Sequence, residues 1–168
     1  MTEEKRSEIF SDWLSKHRGL LFKVVRAYAQ TVDEQDDLFQ EISIQVWRSV
    51  SQFKHQSAVS TWIYRISLNT ALNWRRKEKR HQEGRSSITE FEHVLKASKV
   101  EKDERLEWLY EQISQLPPLD KSLTLLLLDG YSYKDMSEIL GLSESNVGVR
   151  INRIKTRLIS KAEGVIRQ

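Results

Sequence analysis

Residues 130–158 read GYSYKDMSEILGLSESNVGVRINRIKTRL and predict two helices joined by a tight turn. Ser132 is suited to cap the backbone amides of the first helix, and Gly141 can take the left-handed conformation that ends it. Ser143 then caps a second helix. This helix carries a buried stripe at steps of four, three and four residues: Val147, Ile151, Ile154 and Leu158. The stretch therefore predicts a helical hairpin.

The other face of the second helix is polar and basic, and includes Ser145, Asn146, Arg150, Arg153 and Arg157. In helix-turn-helix proteins the first residues of the second helix meet base edges, while arginines along it meet phosphates and guanines. A hairpin with a solvated basic face is the alternative interpretation. The agreement of caps, turn glycine and basic stripe favours DNA binding.

Composition is consistent with a helical protein of one ordinary domain or two small ones. Among 168 residues there are two prolines and six glycines, which favours helix nearly throughout, and no cysteine, which excludes disulfides and thiolate metal sites. No apolar run is long enough to span a bilayer, and the start MTEEKRSEIF lacks the order of a signal peptide. We therefore expect a cytoplasmic protein.

The charges are segregated although the net charge is only +3. Residues 33–41, DEQDDLFQE, hold five acids and no base, whereas residues 75–80, RRKEKR, hold five bases and one acid. Residues 144–168 add six bases and two acids. Basic patches are typical of nucleic-acid binders, and a compact acidic face requires a basic protein partner or solvent.

Two amphipathic helices are predicted in the first fifty residues. The first is a single helix over Ile9–Ala29, in which Gly19 is the weak point. The second, from Asp36 onward, buries a stripe that repeats every four residues: Leu38, Ile42 and Val46. A neighbouring face of this helix carries Asp37, Gln40, Glu41 and Ile44. By itself this face is most simply a solvated surface whose charge stabilises the helix start.

A loop over Phe53–Ser60 and a long helix from Thr61 to about Lys79 follow. One arc of about 80 degrees on this helix contains Trp62, Arg65, Asn69, Asn73, Arg76 and Arg80. Amides and guanidinium groups can pair with bases or phosphates, and an aromatic ring can stack on an unpaired base. The alternative is a packed helix with Trp62 in its core.

Three segments together resemble the extracytoplasmic function (ECF) class of bacterial sigma factors: DDLFQEISIQVW, TWIYRISLNTALNWRRK and LPPLDKSLTLLLLDGYSYKDMSEILGLSESNVGVRINRIKTRL. The resemblance covers nearly the whole chain. It implies an all-α protein of two small helical domains, similar to sigma domains 2 and 4. They would occupy residues 1–81 and 103–168, joined by a linker at 82–102.

The resemblance also implies roles for the polar faces. Docking on the clamp helices of the largest RNA polymerase subunit would use Asp37, Gln40, Glu41 and Ile44. Melting of the −10 element and capture of a flipped base would use Phe53, Trp62, Asn69 and Asn73, with phosphates held by Arg65, Arg75, Arg76, Lys77, Lys79 and Arg80. Recognition of the −35 element would use Ser145, Asn146, Arg150, Arg153 and Arg157.

The sequence departs from the family pattern at both DNA-binding helices. Gly148 and Val149 stand where many members carry Lys and Ser, which removes a phosphate donor and adds flexibility. Asn73 stands where aspartate is common, and Trp74 is bulkier than usual for its place. We therefore expect the base preferences of this chain to differ from those of other members at both the −10 and the −35 element.

These features predict an alternative sigma factor that binds core polymerase and promoter DNA, with an anti-sigma factor as a further partner. No enzyme activity, cofactor or metal is expected, because the four histidines lack metal-ligand spacing. Two alternatives remain open. One is a free-standing DNA-binding regulator, which would bind duplex DNA as a dimer. The other is a decoy that sequesters an anti-sigma factor and needs no promoter melting.

Overall fold

The computed structural model describes residues 1–81 and 103–166, except for the side chains of residues 76 and 78–81. Over this part of the chain the secondary structure is helical and contains no strand, which confirms the predicted all-α class. No helix in the described ranges is long and apolar enough to cross a membrane.

The chain divides into two compact units, Met1–Lys102 and Asp103–Gln168. The predicted linker at 82–102 lies outside the described residues, so the three-part division stays a prediction.

Four helices form the described part of the first unit: α1 (Glu3–Lys16), α2 (Arg18–Tyr28), α3 (Val32–Ser49) and α4 (Val59–His81). A 3-10 turn, Val50–Gln52, follows α3 and leads into the predicted loop. α3 packs along α4, and α2 packs against both. The centre of the core consists of fully buried apolar side chains, among them Val24, Leu38, Ile42, Ile63 and Leu68.

The single helix predicted over Ile9–Ala29 is wrong, because the chain breaks at His17. His17 has φ −112° and ψ 23°, outside the helical range, although its amide still donates to the Trp13 carbonyl. Both halves pack on α3, but the break lets α1 turn to the 3-10 turn after α3 while α2 turns to α4. Trp13 of α1 meets the ring of Phe53 at 5.4 Å, whereas α2 packs against α3 and α4. Gly19 lies within the first turn of α2.

Side-chain caps fix both ends of α3. Thr31 and Glu34 form a capping box at its start, so the helix begins at Val32, four residues before the predicted Asp36. At its other end Arg6 donates from Nε and Nη2 to the Trp47 carbonyl, at 3.1 and 2.9 Å. α1 therefore adds a side-chain donor to a carbonyl in the last turn of α3, which also accepts the Val50 amide.

The described part of the second unit contains α5 (Glu104–Ser114), α6 (Pro118–Leu128), α7 (Tyr133–Leu140) and α8 (Glu144–Ile166). The predicted hairpin is confirmed: Ser132 caps α7, Gly141 ends it at φ +70°, and Ser143 Oγ accepts the Asn146 amide. Val147, Ile151 and Ile154 are buried, as the stripe predicts, and Leu158 is half-buried.

Candidate nucleic-acid interface

A groove of about 710 Å³ runs between α3 and α4. The α3 side is lined by Asp37, Glu41, Gln45 and Arg48, and the α4 side by Trp62, Ile66, Asn69, Asn73, Trp74 and Lys77. From the sequence, the acidic face of α3 and the polar strip of α4 were separate surfaces. The structure joins them, and adds Gln45, Arg48 and Gln52 to the candidate residues. Gln45 and Arg48 continue the helical spacing of Asp37 and Glu41, which is the signal that could have indicated them.

Trp62 is half-buried at the wall of this groove, and its indole is held in place. Its Nε1 donates to Ser49 Oγ at 3.2 Å, and Ser49 Oγ in turn donates to the Val46 carbonyl at 2.8 Å. The ring of Phe53 lies 5.5 Å away at a tilt of 51°. Because the indole N–H is already used within the protein, a ligand would meet Trp62 through the exposed part of its ring.

A second tryptophan connects the two walls of the groove. Trp74 is 5% exposed, and its Nε1 donates to Asp37 Oδ2 at 3.0 Å. This bond ties α4 to the acidic face of α3. Asn69, Asn73 and Lys77 are exposed along the same side of α4, so two amides and one ammonium group face the groove.

Phe53 lies behind Trp62 and lines a different cavity. Its ring packs edge-on to Trp13 and lies 4.6 Å from the ring of His55, and these three side chains help to line a space of about 420 Å³ beside α1. His55 has φ +57°, a left-handed conformation that few residues other than glycine adopt. Phe53 therefore supports Trp62 from the loop and does not line the α3–α4 groove.

The face of α3 that we predicted to dock on polymerase is largely exposed. Asp37 and Gln40 are exposed, Glu41 is half-buried, and Ile44 is an apolar side chain with 45% exposure. Of the predicted phosphate ligands on α4, Arg65 is exposed and Arg75 is half-buried. The side chains of Arg76, Lys79 and Arg80 lie outside the described residues.

On α8, four of the five predicted DNA-binding residues are exposed: Ser145, Asn146, Arg153 and Arg157. Arg150 is different, because its Nη1 lies 3.1 Å from Asp120 Oδ1 on α6 and its Nε donates to Asn146 Oδ1 at 3.3 Å. Asp120 was not among the residues predicted from the sequence. Asp120 and Arg150 are thirty residues apart in the sequence, so helical spacing could not have indicated this pair.

Comparisons with known proteins agree with this arrangement. The family model of sigma-70 region 2 matches residues 13–81, and that of sigma-70 region 4 matches residues 106–158. The ECF RNA polymerase sigma factor SigM of Mycobacterium tuberculosis is 26% identical over 151 residues, covering 89% of this chain and 74% of that protein. The ECF RNA polymerase sigma-E factor of Haemophilus influenzae is 28% identical, with 92% and 86% covered.

Two solved structures are similar in fold. The sigma factor RpoE of Bartonella quintana, in complex with the anti-sigma factor NepR, has a TM-score of 0.69 at 19% identity and covers 93% of this chain and 97% of its own. CnrH in complex with the cytosolic domain of CnrY has a TM-score of 0.64 at 19% identity, with 94% and 90% covered. Since the two sigma-70 regions match the two helical units in order, this chain belongs to the ECF class of RNA polymerase sigma factors.

Proposed function

We propose that this sigma factor divides promoter recognition between its two units. The α3 face docks on core RNA polymerase, the α3–α4 groove takes an unpaired base of the −10 element, and α8 reads the −35 element in duplex DNA. As an ECF sigma factor, the chain is an alternative sigma factor that initiates transcription. Sigma factors are transcription factors rather than enzymes. We therefore propose that this chain acts in the cytoplasm, catalyses no reaction and needs no cofactor.

The observation that carries the proposal is the grouping of Trp62, Asn69 and Asn73 along one groove. Extruding a base from duplex DNA costs a few kcal/mol, which a stacking surface and hydrogen bonds to the base edge can offset. Trp62 offers a ring face in a fixed orientation, and the two amides offer donors and acceptors one helical turn apart. Lys77, at the end of the groove, is placed to hold a phosphate.

Docking on polymerase would use the acidic face of α3 around Ile44. An exposed apolar side chain among carboxylates fits a partner that is basic at its rim and apolar at its centre. We expect the clamp helices of the largest polymerase subunit at this face. An anti-sigma factor is a further expected partner, since the two solved structures described above are complexes, one of them with a named anti-sigma factor.

For α8, the support is the exposure of its basic face. Ser145 and Asn146 lie in the first turn of the helix, where helix-turn-helix proteins contact base edges. Arg153 and Arg157 follow on the same side and are exposed, as phosphate ligands must be. The half-buried stripe residue Leu158 closes this basic segment.

The test must distinguish the loss of polymerase docking from a disturbance of the α3–α4 groove. Asp37 bonds to Trp74, so its substitution would disturb both surfaces, whereas Ile44 does not line the groove. We expect Ile44→Arg to abolish a stable complex with core RNA polymerase. Val32→Arg is the matched control, because Val32 is 40% exposed on the same helix but lies on another face.

The readout is co-elution of the purified chain with core polymerase, followed by transcription from a library of randomised promoters. Promoter-dependent transcripts with the wild-type chain and with Val32→Arg, lost with Ile44→Arg, are the expected result. If the wild-type chain forms no complex but binds duplex DNA tightly as a dimer, the proposal is wrong and a free-standing regulator takes its place.

A further inference from the structure

A chain of three polar side chains joins α6 to the first turn of α8. Asp120 Oδ1 lies 3.1 Å from Arg150 Nη1, and the two side chains are 18% and 32% exposed. Arg150 Nε then donates to Asn146 Oδ1 at 3.3 Å. Asn146 is itself anchored through its backbone amide, which donates to Ser143 Oγ at 3.1 Å. Arg150 therefore links a carboxylate on α6 to a side chain in the first turn of α8.

This arrangement fixes the orientation of the Asn146 amide. The guanidinium of arginine carries only donors, so the atom of Asn146 that faces Arg150 Nε must be the amide oxygen. The Nδ2 group then points away from the guanidinium. In an exposed asparagine with no such neighbour, the amide can rotate and present either its oxygen or its nitrogen.

We propose that Asp120 is a positioning residue that makes Asn146 a donor at the −35 element and so sets its base preference. The inference rests on the proposed role of α8 in reading that element. The carboxylate holds Arg150, Arg150 keeps the oxygen of Asn146 on its own side, and the Nδ2 hydrogens are the part of the amide that meets a base.

A donor discriminates among bases in the major groove. Guanine and adenine present N7 there, guanine also O6 and thymine O4, so all three offer an acceptor to the Nδ2 hydrogens, whereas cytosine offers only its amino donor. A held Asn146 therefore disfavours cytosine at the base it faces, whereas an amide free to rotate could turn its oxygen to the cytosine amino group.

The experiment uses core polymerase reconstituted with the full chain and a promoter library randomised over the −35 element. Four versions are compared: wild type, Asp120→Ala, Asp120→Glu and Glu111→Ala. Glu111 is exposed on α5 and serves as the control for loss of one negative charge in the same unit. For the wild type we expect discrimination of about tenfold against cytosine at one position.

With Asp120→Ala we expect that single discrimination to disappear, with cytosine now accepted, while the preferences at other positions stay. Asp120→Glu should restore it, because it keeps a carboxylate within reach, and Glu111→Ala should leave every preference unchanged. Thermal unfolding of each variant is measured in parallel. A uniform loss of transcription at all positions, or a lower unfolding temperature without a change in base preference, would assign Asp120 a purely structural role and overturn the inference.

The two proposals fail differently. If the wild-type chain shows no preference at any −35 position, the proposed function of α8 is wrong, and the inference falls with it. If the wild type shows −35 preferences and Asp120→Ala retains all of them, only the positioning role is refuted.

Discussion

The polar residues of α4 line a concave groove, whereas those of α8 stand on the exposed side of a single helix. In the groove, two tryptophan N–H groups are bonded to Ser49 and Asp37 of α3, and the amides lie between helix walls. On α8 the residues proposed to read bases, Ser145 and Asn146, lie in the first turn and are exposed. A base can reach the groove only after it leaves its stack, but a helix face can meet base edges in an intact major groove. The two units are thus suited to different states of the same DNA.

The two regions also differ in charge. The groove places the carboxylates of Asp37 and Glu41 across from Lys77, with Arg48 on the same wall as the acids. On the exposed face of α8, no acidic residue lies between Arg153 and Arg157 in the sequence. We therefore expect stacking and hydrogen bonds to dominate binding at the groove, and phosphate contacts to contribute more at α8.

The largest expected effect is at Trp62. If a flipped base stacks on its ring, Trp62→Ala should weaken binding of a single-stranded −10 oligonucleotide to the reconstituted holoenzyme by about five- to 150-fold, since one stacked base contributes about 1–3 kcal/mol. Binding of a duplex −35 fragment should not change. Fluorescence anisotropy with the two labelled DNAs measures both affinities.

Trp62→Phe is the control for that experiment, because it keeps an aromatic ring but removes the bond from Nε1 to Ser49 Oγ. It should retain most of the affinity. Equal reductions in affinity with Ala and Phe would mean that the indole bond, and not stacking, accounts for the effect. An unchanged affinity with Ala would show that the base does not contact Trp62.

The second prediction uses salt to compare the two regions. Neutralising one phosphate adds about 0.9 to the dependence of log K on log salt in duplex DNA, and about 0.7 in single-stranded DNA. Arg153→Ala should therefore reduce the slope for a duplex −35 fragment, and Lys77→Ala the slope for a single-stranded −10 oligonucleotide. Titrations of the holoenzyme at several salt concentrations give both slopes. A change in the slope for the opposite DNA with either variant would contradict the assignment.

The second unit was the more predictable of the two. Its hairpin rests on signals within a few residues of each other, namely the caps Ser132 and Ser143, the turn glycine Gly141 and a stripe at helical spacing. Local hydrogen bonds and backbone preferences determine such features. The same local reasoning failed at His17, where α1 packs on α3 and the 3-10 turn whereas α2 packs on α3 and α4, and helical spacing does not reveal such tertiary packing.

The groove could not be predicted for a related reason. Helical spacing shows which residues share a face, but not which face of α3 lies beside which face of α4. The bond between Trp74 and Asp37 joins residues that are 37 positions apart, and the ion pair of Asp120 with Arg150 spans 30. Such contacts depend on the packing of whole helices. They changed the interpretation of Asp37 and Arg150, which the sequence had suggested only as ligands of polymerase and DNA.

The third prediction concerns the bond between the groove walls. Trp74→Phe removes the donor to Asp37 Oδ2 and should lower the free energy of unfolding by about 1–1.5 kcal/mol, because one hydrogen bond is removed and a small space is left. Urea denaturation of Trp74→Phe, Asp37→Ala and the double variant gives a double-mutant cycle. A coupling energy near zero would show that the bond does not contribute to the fold of the groove.

The smallest effect is expected within α8, at Gly148. Its backbone is helical, and an added Cβ would lie 3.6 Å from Tyr133 Cε2, an ordinary contact distance. Gly148→Ala should therefore raise the free energy of unfolding by about 0.5–1 kcal/mol, because alanine has less backbone freedom to lose. Gly141→Ala is the opposite control: with φ +70° at the end of α7, it should destabilise by about 1 kcal/mol. If both variants destabilise equally, the Cβ at position 148 is not tolerated beside Tyr133. The glycine would then be required for the packing of α8 and not only permitted there.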